Sequence, residues 1–199
     1  MEESLSKYIP KNAVNPVKKL LQKHPVVLKI VNDRNTKHGD FKKTASGKLQ
    51  ITVNKGLNPY HFLLTLVHEI AHLVTFKKHK SVKPHGKEWK YEFQHLMLPL
   101  LNPEIFPLAL LPHLANYFKN PKASTGSDIN LSYALKQYDP KNGTQTISEL
   151  QTGSYFKFNN RTFIKGNKRR TRIECTEITN NKTYLFNQNA EVKYLKYYE

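Results

Sequence analysis

His68, Glu69 and His72 fall in the segment LVHEIAHLVTF, an HExxH pattern inside a strongly apolar run. Residues four apart share one face of a helix, so the two imidazoles can grip a single metal ion while the Glu69 carboxylate stands beside it. Such a trio serves hydrolysis: neutral imidazoles hold Zn2+, and a carboxylate takes a proton from water. Glu69 lies too close to His68 along the helix to be a ligand itself and reads as the general base. A catalytic zinc takes three protein ligands and keeps its fourth position for water, so one more ligand has to arrive from another element.

Two sets of residues compete for that place. The metzincin spacing would put Gly and His three and six residues beyond His72; this chain has Thr75 and Lys78 there, which excludes it. In a thermolysin-like arrangement a Glu from the following helix ligates, and Glu88 and Glu92 are available. The other candidate is His85 in PHGKEW, thirteen residues after His72, where Gly86 lets the backbone approach closely at a helix start. His61 lies seven residues before His68, on nearly the same helical face, and reads as a helix-start or supporting residue rather than a ligand. His79, His95 and His113 read the same way.

The elements that must position these groups can be read from periodicity and punctuation. Residues 13–23 form a short amphipathic helix ended by His24-Pro25. Residues 26–31 are rich in β-branched side chains, the turn-rich stretch NDRNTKHGD leads to a second strand around 41–44, and ASGK turns into a third at 49–54. Asn58-Pro59 supplies a cap and a first-turn proline for a long buried helix over 60–76 that carries the HExxH residues. HGKEWKYEFQHLM reads as the next helix, and Pro99, Pro103, Pro107 and Pro112 break an apolar stretch that should wrap the helical core.

HEIAH followed by HGKEW, preceded by one helix and three short strands, resembles the SprT-like metalloproteases, which include the Spartan proteases. The resemblance covers about residues 10–110. It implies His68, His72 and His85 as ligands of one Zn2+, Glu69 as general base and Trp89 in an aromatic place after the third ligand. It also implies an α+β fold with a zincin-like domain: a helix, a three-stranded antiparallel sheet, the HExxH helix and a second helix. Proteins associated with DNA are the implied substrates. Many members end in a zinc ribbon of paired cysteines, which Cys175, the only cysteine here, cannot build.

Three domain segments are expected: residues 1–118 as the metalloprotease domain, the polar stretch KNPKASTGSDIN at 119–130 as a linker, and 131–199 as a small antiparallel β module. Tyr155, Phe156, Phe158, Phe163, Tyr184 and Phe186 would hold that module without metal, with Cys175 as a small buried strand residue. The net charge is +17, with 18 basic and 8 acidic residues before Lys119 and 14 and 7 from there on. Both parts should attract polyanions, nucleic acid first. Lys77, Lys78 and Lys80, between the presumed ligands, are candidates for a phosphate-tracking rim. Lys168, Arg169, Arg170 and Arg172 form the densest arginine cluster.

No run of about 18 apolar residues and no exported-type N-terminus is visible, and a lone cysteine suits a reducing setting, so a cytoplasmic protein is expected. No heptad pattern argues for more than a monomer. Three further expectations concern the reaction: the strand at 49–54 could add a substrate strand at its edge, Tyr91 could help stabilise an oxyanion, and the substrate is protein. Two rivals remain. One is a non-enzymatic nucleic-acid-binding or transcription-associated protein braced by structural zinc, against which Glu69 speaks, since a brace has no use for that carboxylate. The other is a zinc hydrolase acting on something other than protein.

Overall fold

The computed structural model describes residues 5–79, 81–139 and 145–195. Two compact units divide after Asp139. In the first, α1 (Val14–Lys23) buries Val17 and Leu21, one turn apart, against the core. Three strands follow, β1 (Val27–Val31), β2 (Gly39–Lys43) and β3 (Leu49–Asn54). Their order is β1-β3-β2, with β2 antiparallel to β3 in the register Phe41 to Ile51, and β1 parallel to β3 in the register Leu28 to Ile51. The sheet is therefore mixed, a correction to the antiparallel expectation. The chain leaves β1, crosses over β3's position to build β2, and only then turns back through the ASGK turn into the centre of the sheet.

Because β3 is central, both its faces are buried, and they carry different chemistry. Ile51 and Val53 are fully buried in the apolar core. Thr52 and Asn54 are buried too and need partners, which residue Arg34 supplies: its Nε donates to Asn54 Oδ1 at 2.9 Å and Nη1 to Thr52 Oγ1 at 3.0 Å. The Asn54 amide donates in turn to the Arg34 and Lys37 carbonyls at 3.2 and 3.0 Å. The apparently loose segment NDRNTKHGD is thus stitched to the sheet just before β2 begins.

The long helix α2 (Pro59–Lys78) packs over the sheet with nearly every face covered; Leu63, Leu64, Leu66, Val67, Ile70 and Leu73 are fully buried. Each such side chain contributes about 1.5–3 kcal/mol of burial. Its start depends on Asn58, itself buried. The Asn58 Oδ1 accepts from the Tyr60 and His61 N–H groups, and its Nδ2 donates to the Leu135 carbonyl at 2.9 Å and Asp139 Oδ1 at 2.7 Å. Helix α3 (Lys87–Met97) lays Trp89, Phe93 and Met97 against α2, and the proline-broken stretch after it buries Leu100, Ile105, Phe106 and Leu110 before α4 (Leu111–Phe118).

Residues 119–130 do not behave as a linker. Tyr117 Oη donates to the Lys122 carbonyl, Thr125 is buried, and Asp128 caps α5 (Ile129–Lys136), whose Leu131 and Leu135 join the first unit's core. The Ser, Thr and Asp residues that suggested flexibility are spent as caps and turn formers. The β module accordingly starts later than residue 131. Its strands are β4 (Gln145–Thr146), β5 (Tyr155–Phe158), β6 (Arg161–Lys168), β7 (Arg172–Glu177), β8 (Thr183–Asn187) and β9 (Glu191–Leu195).

These six form one antiparallel sheet in the order β4-β9-β5-β6-β7-β8. Phe156, Phe163, Ile173, Cys175 and Val192 are its buried core, with Phe158, Tyr184 and Phe186 packed against it, and Tyr155 stands outside that cluster. The buried Lys165 ammonium is satisfied by the Leu150 carbonyl. None of the described helices is long and apolar enough to cross a membrane.

The four-bond role of Asn58 yields a sharp test. Asn58→Ala should lower unfolding free energy by about 1–3 kcal/mol, from the lost cap and the stranded Leu135 carbonyl and Asp139 contacts. Asn58→Asp, as good a cap by itself, should not restore stability, because it sets a carboxylate against two acceptors. Chemical denaturation of the three proteins reads this; an Asp variant as stable as wild type would refute the bonding pattern.

Candidate metal centre and cleft

Helix α2 carries His68 and His72 on one face, and the segment before α3 brings His85 to them. Their Nε2 atoms form a nearly equilateral triangle with edges of 3.2 Å (His68 to His72), 3.0 Å (His72 to His85) and 3.3 Å (His68 to His85). Three nitrogens bound to a tetrahedral zinc at about 2.0–2.1 Å stand about 3.3 Å apart. Hydrogen bonding cannot account for the triangle. A neutral imidazole nitrogen is either donor or acceptor, so among three in mutual contact at least one pair has like roles. A cation shared by three lone pairs removes that conflict, and the residues fit zinc. Among the described residues, these three are the group whose ligand atoms converge for a metal.

The competing carboxylates stand elsewhere. Glu92 is buried in an ion pair with Lys78 Nζ at 2.7 Å, and Glu88 lies 3.9 Å from Lys87 Nζ. His85 itself has φ 57°, a left-handed conformation that a non-glycine residue adopts at a cost of roughly 1–2 kcal/mol. Gly86, the N-cap of α3, makes the close turn possible: a Cβ there would sit 2.8 Å from the Lys83 carbonyl oxygen. Trp89, in the first turn of α3, packs on all three imidazoles, with ring centroids 4.6 Å from His68, 5.3 Å from His72 and 4.7 Å from His85. It is fully buried, and its indole N–H has no hydrogen-bond partner among the described residues, so packing against the rings is what it contributes.

Burial sets the electrostatics. Desolvation, reinforced by the neighbouring imidazoles, lowers the pKa of His68 to about 3 and of His72 to about 4, and burial also lowers that of His85. All three are neutral near pH 7, the form that ligates. Glu69 is buried beneath β2, and desolvation followed by repulsion from Asp40 pushes its carboxyl up to about 8 against the pull of a Phe41 backbone hydrogen bond, Lys37 and Arg34. A divalent ion beside it would favour the carboxylate. Gly39 is what allows β2 to come so near: a Cβ on it would lie 2.6 Å from Glu69 Oε1 and 2.8 Å from Thr65 Cγ2.

These groups open into a cavity of about 520 Å3, lined by residues 35–41, residues 123–125, Thr65, Glu69 and the three histidines. The exposed sheet edge here belongs to β2. The strand at 49–54, expected to receive an extended substrate, is paired on both sides and offers no edge. Tyr91 is exposed and stacks on His95, outside the cavity lining. Neither Lys77 nor Lys78 lines the cavity; the basic residue that does is Lys37, paired with Asp40 at 2.9 Å. Lys80 lies outside the described residues. In the second unit, exposed Lys168, Arg169, Arg170 and Arg172 sit around the β6–β7 turn, closed by the Arg169 N–H to the Arg172 carbonyl, and Arg169 also pairs with Glu174.

The HGD tripeptide at the start of β2 holds what sequence reasoning missed: His38, Gly39 and Asp40 all line the cavity. A glycine opening a strand, again preceded by histidine as in His85-Gly86, was the available signal. His61 does not join the ligands. Its Nε2 meets Thr125 Oγ1 at 3.2 Å, its ring packs edge-on to His38, and burial, then repulsion from His38, lowers its pKa to about 3.

An unfolded histidine takes up a proton near pH 6.5 while folded His61 does not, so its contribution to stability is intact above 6.5 and is lost as pH falls towards 3. Wild type should therefore lose about 2 kcal/mol more than His61→Gln between pH 7 and pH 5. Urea melts at the two pH values measure it, and equal losses would contradict the burial of a neutral ring.

Residues 24–104 match the SprT-like family. Over 34 residues the chain is 50% identical to Protein SprT of Vibrio parahaemolyticus serotype O3:K6 (strain RIMD 2210633), a stretch covering 17% of this chain and 21% of that protein, about a fifth of the relative's length. No solved structure matches the chain.

Proposed function

With residues 24–104 assigned to the SprT-like family, we propose that the protein is a zinc-dependent endopeptidase acting on proteins associated with nucleic acid. The observation that carries this reading is the imidazole triangle of His68, His72 and His85 with the buried Glu69 carboxyl beside it in one cavity. Zn2+ held by those three imidazoles would polarise a peptide carbonyl and make water acidic enough to lose a proton near neutral pH. Glu69 takes that proton and returns it to the amine as the C–N bond breaks. An extended peptide adds to the free edge of β2, whose main chain runs past Glu69, so that pairing and catalysis draw on the same strand.

Wild type, Glu69→Gln and His85→Ala should separate cleanly when zinc content and cleavage of a denatured protein are measured together. The expected result is one zinc per wild-type chain with cleavage, one zinc and a loss of at least about 100-fold in kcat for Glu69→Gln, and loss of zinc for His85→Ala. Zinc bound by wild type with no cleavage under any condition would favour the structural-brace reading instead.

The nucleic-acid part rests on the +17 net charge and the exposed basic turn between β6 and β7. Affinity for single- and double-stranded DNA should fall steeply with salt. Replacing Arg169, Arg170 and Arg172 with Ala should reduce the log–log salt slope by about 2–3. Binding that is absent at low salt or indifferent to salt would remove nucleic acid from the proposal.

A further inference from the structure

The cavity that holds the imidazole triangle has a fourth histidine on its wall. His38 immediately precedes Gly39, the residue packed on Glu69, and its side chain lines the same cavity as Glu69, His68, His72 and His85. Its backbone is anchored, since the Asn54 N–H donates to the His38 carbonyl at 2.9 Å. Its ring is held edge-on against His61, with centroids 4.7 Å apart, and His61 is fixed in turn by Thr125. Yet neither ring nitrogen of His38 is engaged in a hydrogen bond among the described residues. Exposed at the cavity, held on one side by the His61 ring and with neither ring nitrogen engaged among the described residues, His38 offers a donor to a bound substrate.

Several of the other polar side chains of the lining are already engaged, and Thr65 is buried against Gly39. Lys37 is paired with Asp40, Ser124 Oγ accepts from the Gly126 N–H and Thr125 meets His61, while Asn35 and Thr36, exposed like His38, stand two or three residues further than it along the chain from Gly39, the residue packed on Glu69. We propose that His38 is a catalytic residue of the hydrolysis described above: its imidazole N–H donates a hydrogen bond to the scissile carbonyl oxygen. That oxygen gains negative charge as the water oxygen bonds to carbon, and the hydrogen bond is given up when the carbonyl re-forms, the C–N bond breaks and Glu69 protonates the amine. Partial desolvation at the cavity, with Arg34 adding to it and Asp139 and Asp33 opposing, lowers the His38 pKa from its ordinary value, which favours a neutral ring that donates without becoming charged. The inference rests on the endopeptidase reading.

The test compares zinc-loaded wild type, His38→Ala and His38→Gln on one peptide substrate. His38→Ala should lose about 100-fold in kcat with KM within about threefold and one zinc retained. A peptide phosphonate, which mimics the tetrahedral oxyanion, should bind the variant more weakly by a similar factor. Added imidazole should restore part of the lost rate, and His38→Gln, which keeps an N–H donor, should fall in between. A kcat for His38→Ala within threefold of wild type overturns the role. So does a loss that imidazole does not restore and that leaves phosphonate affinity unchanged, which marks a structural residue. Zinc-loaded wild type that cleaves nothing defeats the endopeptidase reading itself, and this inference with it.

Discussion

Three imidazole nitrogens within 3.0–3.3 Å of one another are held there by what surrounds them. Their own hydrogen bonding is frustrated, so the protein must supply convergence from outside. It does so by burying one helix on nearly every side, laying Trp89 across all three rings and accepting a left-handed backbone at His85. The cost of strain and of an unpartnered indole N–H is of order a few kcal/mol. That cost is set against an apolar core to which α2 alone contributes seven fully buried large side chains, Phe62 among them. Desolvation keeps the rings neutral, and neutrality is what a metal requires of them.

Polar burial elsewhere in the first unit has a positional purpose. Arg34 and Asn54 bind the segment ahead of β2 to the central strand, and that segment carries His38, Gly39 and Asp40 into the cavity. Asn58 ties the start of the helix that carries His68 and His72 to the end of α5 and the residues just after it. Thr125, reached by His61, fixes residues that line the cavity as well. Parts of the chain that look loose are thus the ones whose side-chain hydrogen bonds determine the shape of the site.

The second unit solves stability differently. It has no metal-binding cysteine set, and its small sheet relies on stacked aromatics and on Arg161, which meets Glu177 through two hydrogen bonds at 2.6 and 2.5 Å and lies over the Tyr184 and Phe163 rings. The Arg161 guanidinium holds the Glu177 carboxyl down to about 2. Four of its basic residues, Lys168, Arg169, Arg170 and Arg172, gather at the β6–β7 turn, outside the buried core.

Local pattern was enough to read α2, its Asn58 cap, the position of β3 and the His68, Glu69 and His72 trio, because helix period and cap chemistry act over a few residues. The resemblance to SprT-like proteins pointed to His85, and the position of Trp89 followed from the same segment. What the pattern misread was long-range. β1 pairs parallel with β3, so β3 is central and β2 takes the edge, and no local signal states which strand lies beside which. Residues 119–130 read as a linker from their Ser, Thr and Asp content, although those side chains cap helices and line the cavity.

Beyond the histidine–glycine pairing itself, the placement of His38 and Gly39 was not legible locally for the same reason: Gly39 meets Glu69 from 30 residues away along the chain and His38 meets His61 from 23. The sequence by itself determined the chemistry available, since spacing on one helix is a property of the backbone. Only the tertiary structure decided the cleft, because its lining comes from segments far apart in the chain that meet through buried hydrogen bonds and packing.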